Sequence, residues 1–185
     1  MDNAPTKPQD VVTSDFVNAM ASAAMGVSVV TTNGPAGRLG LTVSAWSSVS
    51  AEPPIVLVCI NRKNPIVEAI TRYRAFVVNA LDVNHVELAR IFSGHPKTGE
   101  PYHFADQDWT QSPSGEVLLQ GASATFSCNL ESHVDIGTHR VFMGRVHAVS
   151  KNTATPLIYH NRTFGRFDPL KLLYPPSCDL IDTCE

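Results

Sequence analysis

The sequence has little of what directs a chain to a membrane, a nucleic acid or a metal. No apolar run approaches the roughly 18 residues needed to cross a bilayer. The formal net charge is −3 over 185 residues, so there is no broad basic field for gripping nucleic acid or an acidic membrane surface. The opening MDNAPTKPQD has neither a basic start nor an apolar stretch, and no secretory signal is expected. There are only four cysteines, Cys59, Cys128, Cys178 and Cys184, and no CxxC. This favours reduced thiols in a cytoplasmic setting over a disulfide framework. His133, His139 and His147 lack ligand spacing and an accompanying cysteine or carboxylate cluster, so no metal is expected. Glycines 34, 37 and 40 do not make GxGxxG, and a return strand follows them where a dinucleotide fold needs a helix. Ser47 and Ser48 lack the GxSxG elbow of a hydrolase. No internal repeat or domain linker is visible.

What remains is an ordinary globular composition, 43% apolar with a mean hydropathy of −0.03. The length suits one domain with a substantial core. The chain divides into a flexible N-terminus (1–13), a single domain (14–167) and a C-terminal tail (168–185). Ser14 and Asp15 suit the start of a helix carrying Phe16, Met20 and Ala24 on one stripe and closed by Gly26. Val27 to Thr32 and Leu39 to Ser44 read as a hairpin. Asn64-Pro65 is a helix entry, with Asn as cap and Pro in the first turn. Ala75 to Leu81 is a strand. Asp82 caps a short helix that ends at Gly94. Residues 93 to 115 form the longest irregular segment, a length that marks a lid or binding loop. Val117 to Leu130, Val141 to Ser150 and Leu157 to His160 are further strands. Hairpin-joined strands with a few inserted helices imply a mainly β protein, an antiparallel barrel with helical decorations.

Two stretches could carry chemistry. The first is Thr42 to Asn61, read as two strands around the Pro53-Pro54 break. Its first half packs four serines and a threonine into nine residues, Thr42 to Ser50. Hydroxyls and accessible backbone N–H groups then lie beside the apolar wall Ile55 to Ile60. That mixture suits a flat ligand with a polar edge; it also suits a strand whose serines face water. The second is Gly137-Thr138-His139, an imidazole at the start of a strand, able to donate to an amide, move a proton or stand exposed.

The order of landmarks resembles the short-chain flavin reductase family, the reductase components of two-component flavin-dependent monooxygenases. The matching pieces include Gly26-Val27-x-Val29-Val30-Thr31-Thr32, Gly40-Leu41-Thr42-x-Ser44-Ala45-x-x-Ser48-Val49-Ser50, Pro53-Pro54 and Leu57-Val58-Cys59-x-Asn61. Phe76-x-Val78-Asn79, Phe92-Ser93-Gly94, Gly137-Thr138-His139, Gly144-x-Val146 and Pro156-Leu157-Ile158-Tyr159 continue it. The family commonly has Gly-Asp-His where this chain has Gly137-Thr138-His139. Thr stands there in members resembling the 4-hydroxyphenylacetate 3-monooxygenase reductase component.

The resemblance implies an FMN-binding split β-barrel, an antiparallel Greek-key barrel that dimerises. It implies hydride transfer from NADH or NADPH to FMN or FAD, with reduced flavin passed to a partner monooxygenase. Thr42, Ser44, Ala45, Trp46, Ser47, Ser48 and Val49 are then expected along the isoalloxazine edge, with Cys59 and Asn61 on the next strand. Lys63 and the unpaired N–H groups of the helix after Asn64 would take the flavin phosphate. Phe92, Ser93 and Gly94 would border the flavin tail, and Arg162 and Phe164 the mouth. His139 would orient the nicotinamide as the catalytic residue. Two other readings of the barrel stay open: a non-catalytic flavin-binding protein and a pyridoxine-phosphate-oxidase-like enzyme.

Overall fold

The computed structural model describes residues 11–35 and 37–170. Cys178, Cys184 and most of the C-terminal tail lie outside the described residues. All strand pairings are antiparallel. Strands β1 (Met25–Gly26), β11 (Leu157–His160) and β12 (Thr163–Arg166) make a small sheet in the order β1-β11-β12. β7 (Trp109–Gln111) and β8 (Val117–Leu119) pair with each other. The main sheet has seven strands: β2 (Ser28–Gly34), β3 (Gly37–Val43), β4 (Trp46–Ala51), β5 (Pro54–Asn61), β6 (Ala75–Ala80), β9 (Ala124–Ile136) and β10 (His139–Lys151). Their order is β3-β2-β6-β9-β10-β5-β4. Helices α1 (Thr13–Ala21), α2 (Ile66–Tyr73) and α3 (Val86–Phe92) decorate them. None is long and apolar enough to cross a membrane, among the described residues.

The main sheet cannot be flat. Its end strands β3 and β4 are consecutive in the chain, joined only by Ser44 and Ala45. Laid flat, they would stand about 29 Å apart at about 4.8 Å per strand. The link from Val43 to Trp46 reaches at most about 11 Å. The sheet therefore curls until its two unpaired edges approach at Ser44-Ala45, where Ala45 also accepts from the Cys59 N–H at 2.9 Å.

β2 explains why the core is double. Val30 is fully buried in one cluster with Val58, Ile70, Phe76 and Phe142, inside the curled sheet and under α2. Val29, its neighbour on the opposite face, is fully buried in another with Leu81, Ala89, Phe92, Trp109 and Leu157. A strand apolar on both faces must be covered twice, which the alternation rule anticipates for a continuous β-branched run. Three of its polar members bond across layers: Thr31 Oγ1 donates to the Val117 carbonyl, Thr32 Oγ1 to the Ala75 carbonyl and Asn33 Nδ2 to the Gly115 carbonyl, each at 2.7 Å, while the Ser28 hydroxyl is buried without a partner. Asn79 of β6 joins them, donating to Val29 O and accepting from the Leu119 N–H.

Several elements differ from the sequence expectation. Helix α1 ends at Ala21, so Ala24 is off the stripe and Met25-Gly26 pair with Tyr159 and Ile158 instead. The ladder satisfies backbone groups that the helix end would leave open. Phe16 and Met20 are 59% and 48% exposed rather than packed. The segment 42–50 is two strand pieces, broken at Ser44-Ala45 where the chain crosses between sheet ends. The expected strand 117–130 is broken by Gly121, whose φ of +72° no strand adopts. The long segment after α3 contains β7, and β12 was not anticipated.

Candidate functional site

A cavity of about 760 Å³ lies where α3, the end of β3 and the β11–β12 hairpin meet. Five expected residues reach it from separate parts of the chain: Thr42 and Ser44, Ser93, and Arg162 and Phe164. Its wall is held locally. Thr42 Oγ1 donates to the Ala89 carbonyl at 2.8 Å, fastening β3 to α3. α3 is preceded by a 3-10 turn, Val83–His85, capped by Asp82, whose carboxylate accepts from the Asn84 N–H at 2.8 Å while His85 Nδ1 accepts from the Asp82 N–H. Gly94, at φ +82°, turns the chain out of the helix.

On the far side, His160 pairs with Thr163 across a two-residue turn, Asn161-Arg162. Both turn residues have positive φ, 46° and 60°. Such a turn matches the twist of a hairpin but is unfavourable for a side chain as large as arginine. It presents Arg162 to the cavity, where its guanidinium donates to Asn18 Oδ1 of α1 at 2.9 Å. Arg90, His95, Tyr159 and Thr163 also line the space. Sequence reasoning missed these four. The local signal for two of them was the Asn161-Arg162 pair between short apolar runs, a hairpin turn by composition.

The seven residues 42–49 that the sequence favours for a ring edge straddle the gap between the sheet ends, leaving Val43 apart. Ala45, Ser47, Ser48 and Val49 are exposed, and Trp46 packs on Phe126 with ring centroids 5.6 Å apart. As β4 is a terminal strand, its outer row of backbone groups has no strand partner, and the register slips between Ser48 and Ser50. That is a cradle of edge backbone groups and exposed hydroxyls, of which Ser47 Oγ donates to the Ser48 carbonyl at 3.1 Å. It fits a flat ring with a polar edge. Cys59 is half-buried behind it, and burial pushes its thiol pKa up, so it acts as a neutral wall.

Three groups fall elsewhere. Phe92 is core: it is fully buried and stacks edge-on against Phe104 and Trp109 at 4.7 and 5.3 Å. Asn64 lines a second cavity of about 230 Å³, with Arg38, Gly40, Tyr102 and Phe104. The free N–H groups expected after Asn64 are engaged. Asn61 Oδ1 accepts from the Lys63 N–H, Asn64 Oδ1 from Ile66 and the Asn64 carbonyl from Val67. Lys63 itself is exposed.

His139 starts β10, exposed and directly opposite Asn61 of β5. Its Nδ1 shares a 2.9 Å hydrogen bond with Thr138 Oγ1. The nearby carboxylate, Asp135, is committed to Arg140 at 2.6 Å and to Arg62 at 3.4 Å. Those guanidiniums hold its pKa down to about 2. No carboxylate bond to the imidazole is formed. Among the described residues no group of His, Cys, Asp and Glu could hold a metal ion.

A model of the flavin reductase like domain matches residues 20–168. The FMN reductase (NADH) RutF of Bradyrhizobium diazoefficiens is 40% identical over 165 residues, 87% of this chain and 91% of that protein. The styrene monooxygenase flavin reductase of Pseudomonas putida superposes with a TM-score of 0.72 at 30% identity, over 85% of this chain and 99% of the other. The NADH:FAD oxidoreductase of Streptomyces globisporus, solved with NAD and FAD fragments, gives 0.75 at 26% identity, over 87% and 98%.

Proposed function

The chain belongs to the flavin reductase like domain family, and on that premise we propose that it is an NADH:FMN oxidoreductase supplying reduced flavin to a separate oxygenase. The observation that carries the reading is the cavity beside two unpaired sheet edges. Apolar walls and hydroxyls converge there from β3, α3, β11 and β12, and Ser44 leads from the cavity to the β4 edge. When bound, the flavin supplies a ring that accepts a hydride at N5 from the nicotinamide. The edge amides and hydroxyls of Ser44 to Val49 hold the ring by its polar rim and favour negative charge arriving there. Cys59, Asn61 and Trp46 limit water behind it. His139, across the ladder from Asn61, orients the nicotinamide carboxamide through the imidazole nitrogen that Thr138 does not hold. The task of these residues would be positional: to hold the hydride donor and the acceptor ring in reacting orientation.

The curled seven-strand sheet supports a split β-barrel. The exposed apolar residues Phe16, Val17 and Met20 of α1 support a homodimer. FMN and NADH are favoured over FAD and NADPH because the RutF relatives carry those names. The monooxygenase partner rests on the flavin reductase components among the structural relatives.

A rate matrix of FMN and FAD against NADH and NADPH tests the reading. The expected outcome is fastest oxidation with NADH and FMN. No turnover in any pairing removes the enzyme; a yellow protein inert to both nucleotides leaves a flavin carrier.

A further inference from the structure

We propose that Arg90 and Arg162 form the phosphate-binding corner of the large cavity, in place of the start of α2. This rests on the flavin reductase reading. Of the residues lining the cavity none is Asp or Glu, yet two are arginines. Neither has a hydrogen-bonded carboxylate partner. Arg162 has a neutral partner, Asn18 Oδ1. Arg90 holds its guanidinium over the Phe164 ring, 5.5 Å from the centroid. Its Nε is buried with no hydrogen-bond acceptor. Glu87 Oε2 lies 4.0 Å from it, a long ion pair without a hydrogen bond, while Glu87 Oε1 accepts from the Lys97 N–H at 2.7 Å.

Other arginines of the chain are treated differently. Arg140 and Arg145 each make two-pronged pairs with Asp135 and Glu131. A buried donor without an acceptor is costly, and one at a cavity wall is satisfied by a ligand acceptor. Two guanidiniums facing one space suit a phosphate, whose oxygens take forked N–H bonds. Ser93 and Thr163 place hydroxyls in the same cavity, and His95 a ring. At α2, by contrast, the first amides already have partners. The strained conformation of Arg162 is what a function-bearing turn residue tolerates.

The anion is a phosphate ester with two possible sources: the FMN phosphate or the dinucleotide diphosphate. Titration of flavin fluorescence compares FMN with riboflavin, which has the ring without the phosphate. Steady-state KM values compare NADH with dihydronicotinamide riboside. The variants are Arg90→Gln, Arg162→Gln and Arg162→Gly; the glycine relieves the positive φ, so loss of folding cannot explain its phenotype. If the flavin is the source, FMN binding falls about tenfold or more while riboflavin binding stays put. If the dinucleotide is the source, KM for NADH rises by a similar factor while that for the riboside does not. Either result supports the corner. Unchanged FMN-to-riboflavin and NADH-to-riboside ratios in folded variants overturn it, with the enzyme reading intact. An unaltered protein that neither binds flavin nor oxidises NADH defeats the function itself, and the corner with it.

Discussion

Thr42 Oγ1 and the Ala89 carbonyl, 47 residues apart in sequence, sit 2.8 Å from each other. This bond joins the last turn of α3 to the strand that ends at the sheet gap, so it fixes the separation between two walls of the cavity. Replacing Thr42 by Val keeps the shape and removes the donor. The expected cost is about 0.5–1.5 kcal/mol, read from urea unfolding. Flavin affinity should weaken several-fold as the wall loosens; a variant equally stable and equally tight-binding would show that the bond positions nothing.

Gly40 has no room for a side chain. A Cβ there would lie 2.6 Å from Phe92 Cε1 and 2.9 Å from Phe104 Cζ. Both rings belong to the aromatic cluster with Trp109, so neither can simply swing away. Gly40→Ala should destabilise by about 1–3 kcal/mol, the usual cost of overpacking. The midpoint of chemical denaturation measures it.

His85 makes stability depend on pH. Burial lowers its pKa below 6.5, although Asp82 and Asp108 pull the other way. Protonation would also end its acceptance of the Asp82 N–H. The folded pKa is the lower one, so this contribution is complete above the unfolded value. It is lost as pH falls from about 6.5 toward the depressed folded pKa. Melting temperature should decline over that window, and His85→Gln should flatten the decline. An identical slope in the variant would assign it to other groups.

His139 is exposed and lies opposite Asn61, outside both large cavities. His139→Ala should therefore slow NADH oxidation by about 10²-fold or less while flavin affinity stays within twofold of the parent. Collapse of flavin binding with an intact hydride step would reverse the assigned role.

The sequence was legible where local chemistry decides. The β-branched runs at 27–32, 55–60 and 75–81 became the strands they predict; Asp82 caps the 3-10 turn that leads into the third helix, and Gly94 turns the chain just beyond it. The order of landmarks pointed to the flavin reductases before any coordinates, because each piece depends on nearby residues. The same local reasoning misplaced Phe92, an aromatic beside Ser93 and Gly94 that reads as a ligand wall. It belongs to the core because Phe104 and Trp109 fold back over it. It also expected free amides after Asn64, where the Asn64 side chain takes the Ile66 N–H and the Asn64 carbonyl the Val67 N–H.

By itself the sequence determined most of the strands, the antiparallel β class and the family, since backbone preference and apolar periodicity act within a few residues; the cap expected at Ser14-Asp15 is not formed, as α1 starts at Thr13 with no side-chain cap. Only the tertiary structure decided which polar groups keep a partner. Arg140 and Arg90 look alike as letters. One finds Asp135 across a ladder; the other is carried by its helix to a cavity wall with no acceptor for its Nε. Pairing of charges over long sequence separations depends on how the sheet curls, and no short stretch of the chain contains that information.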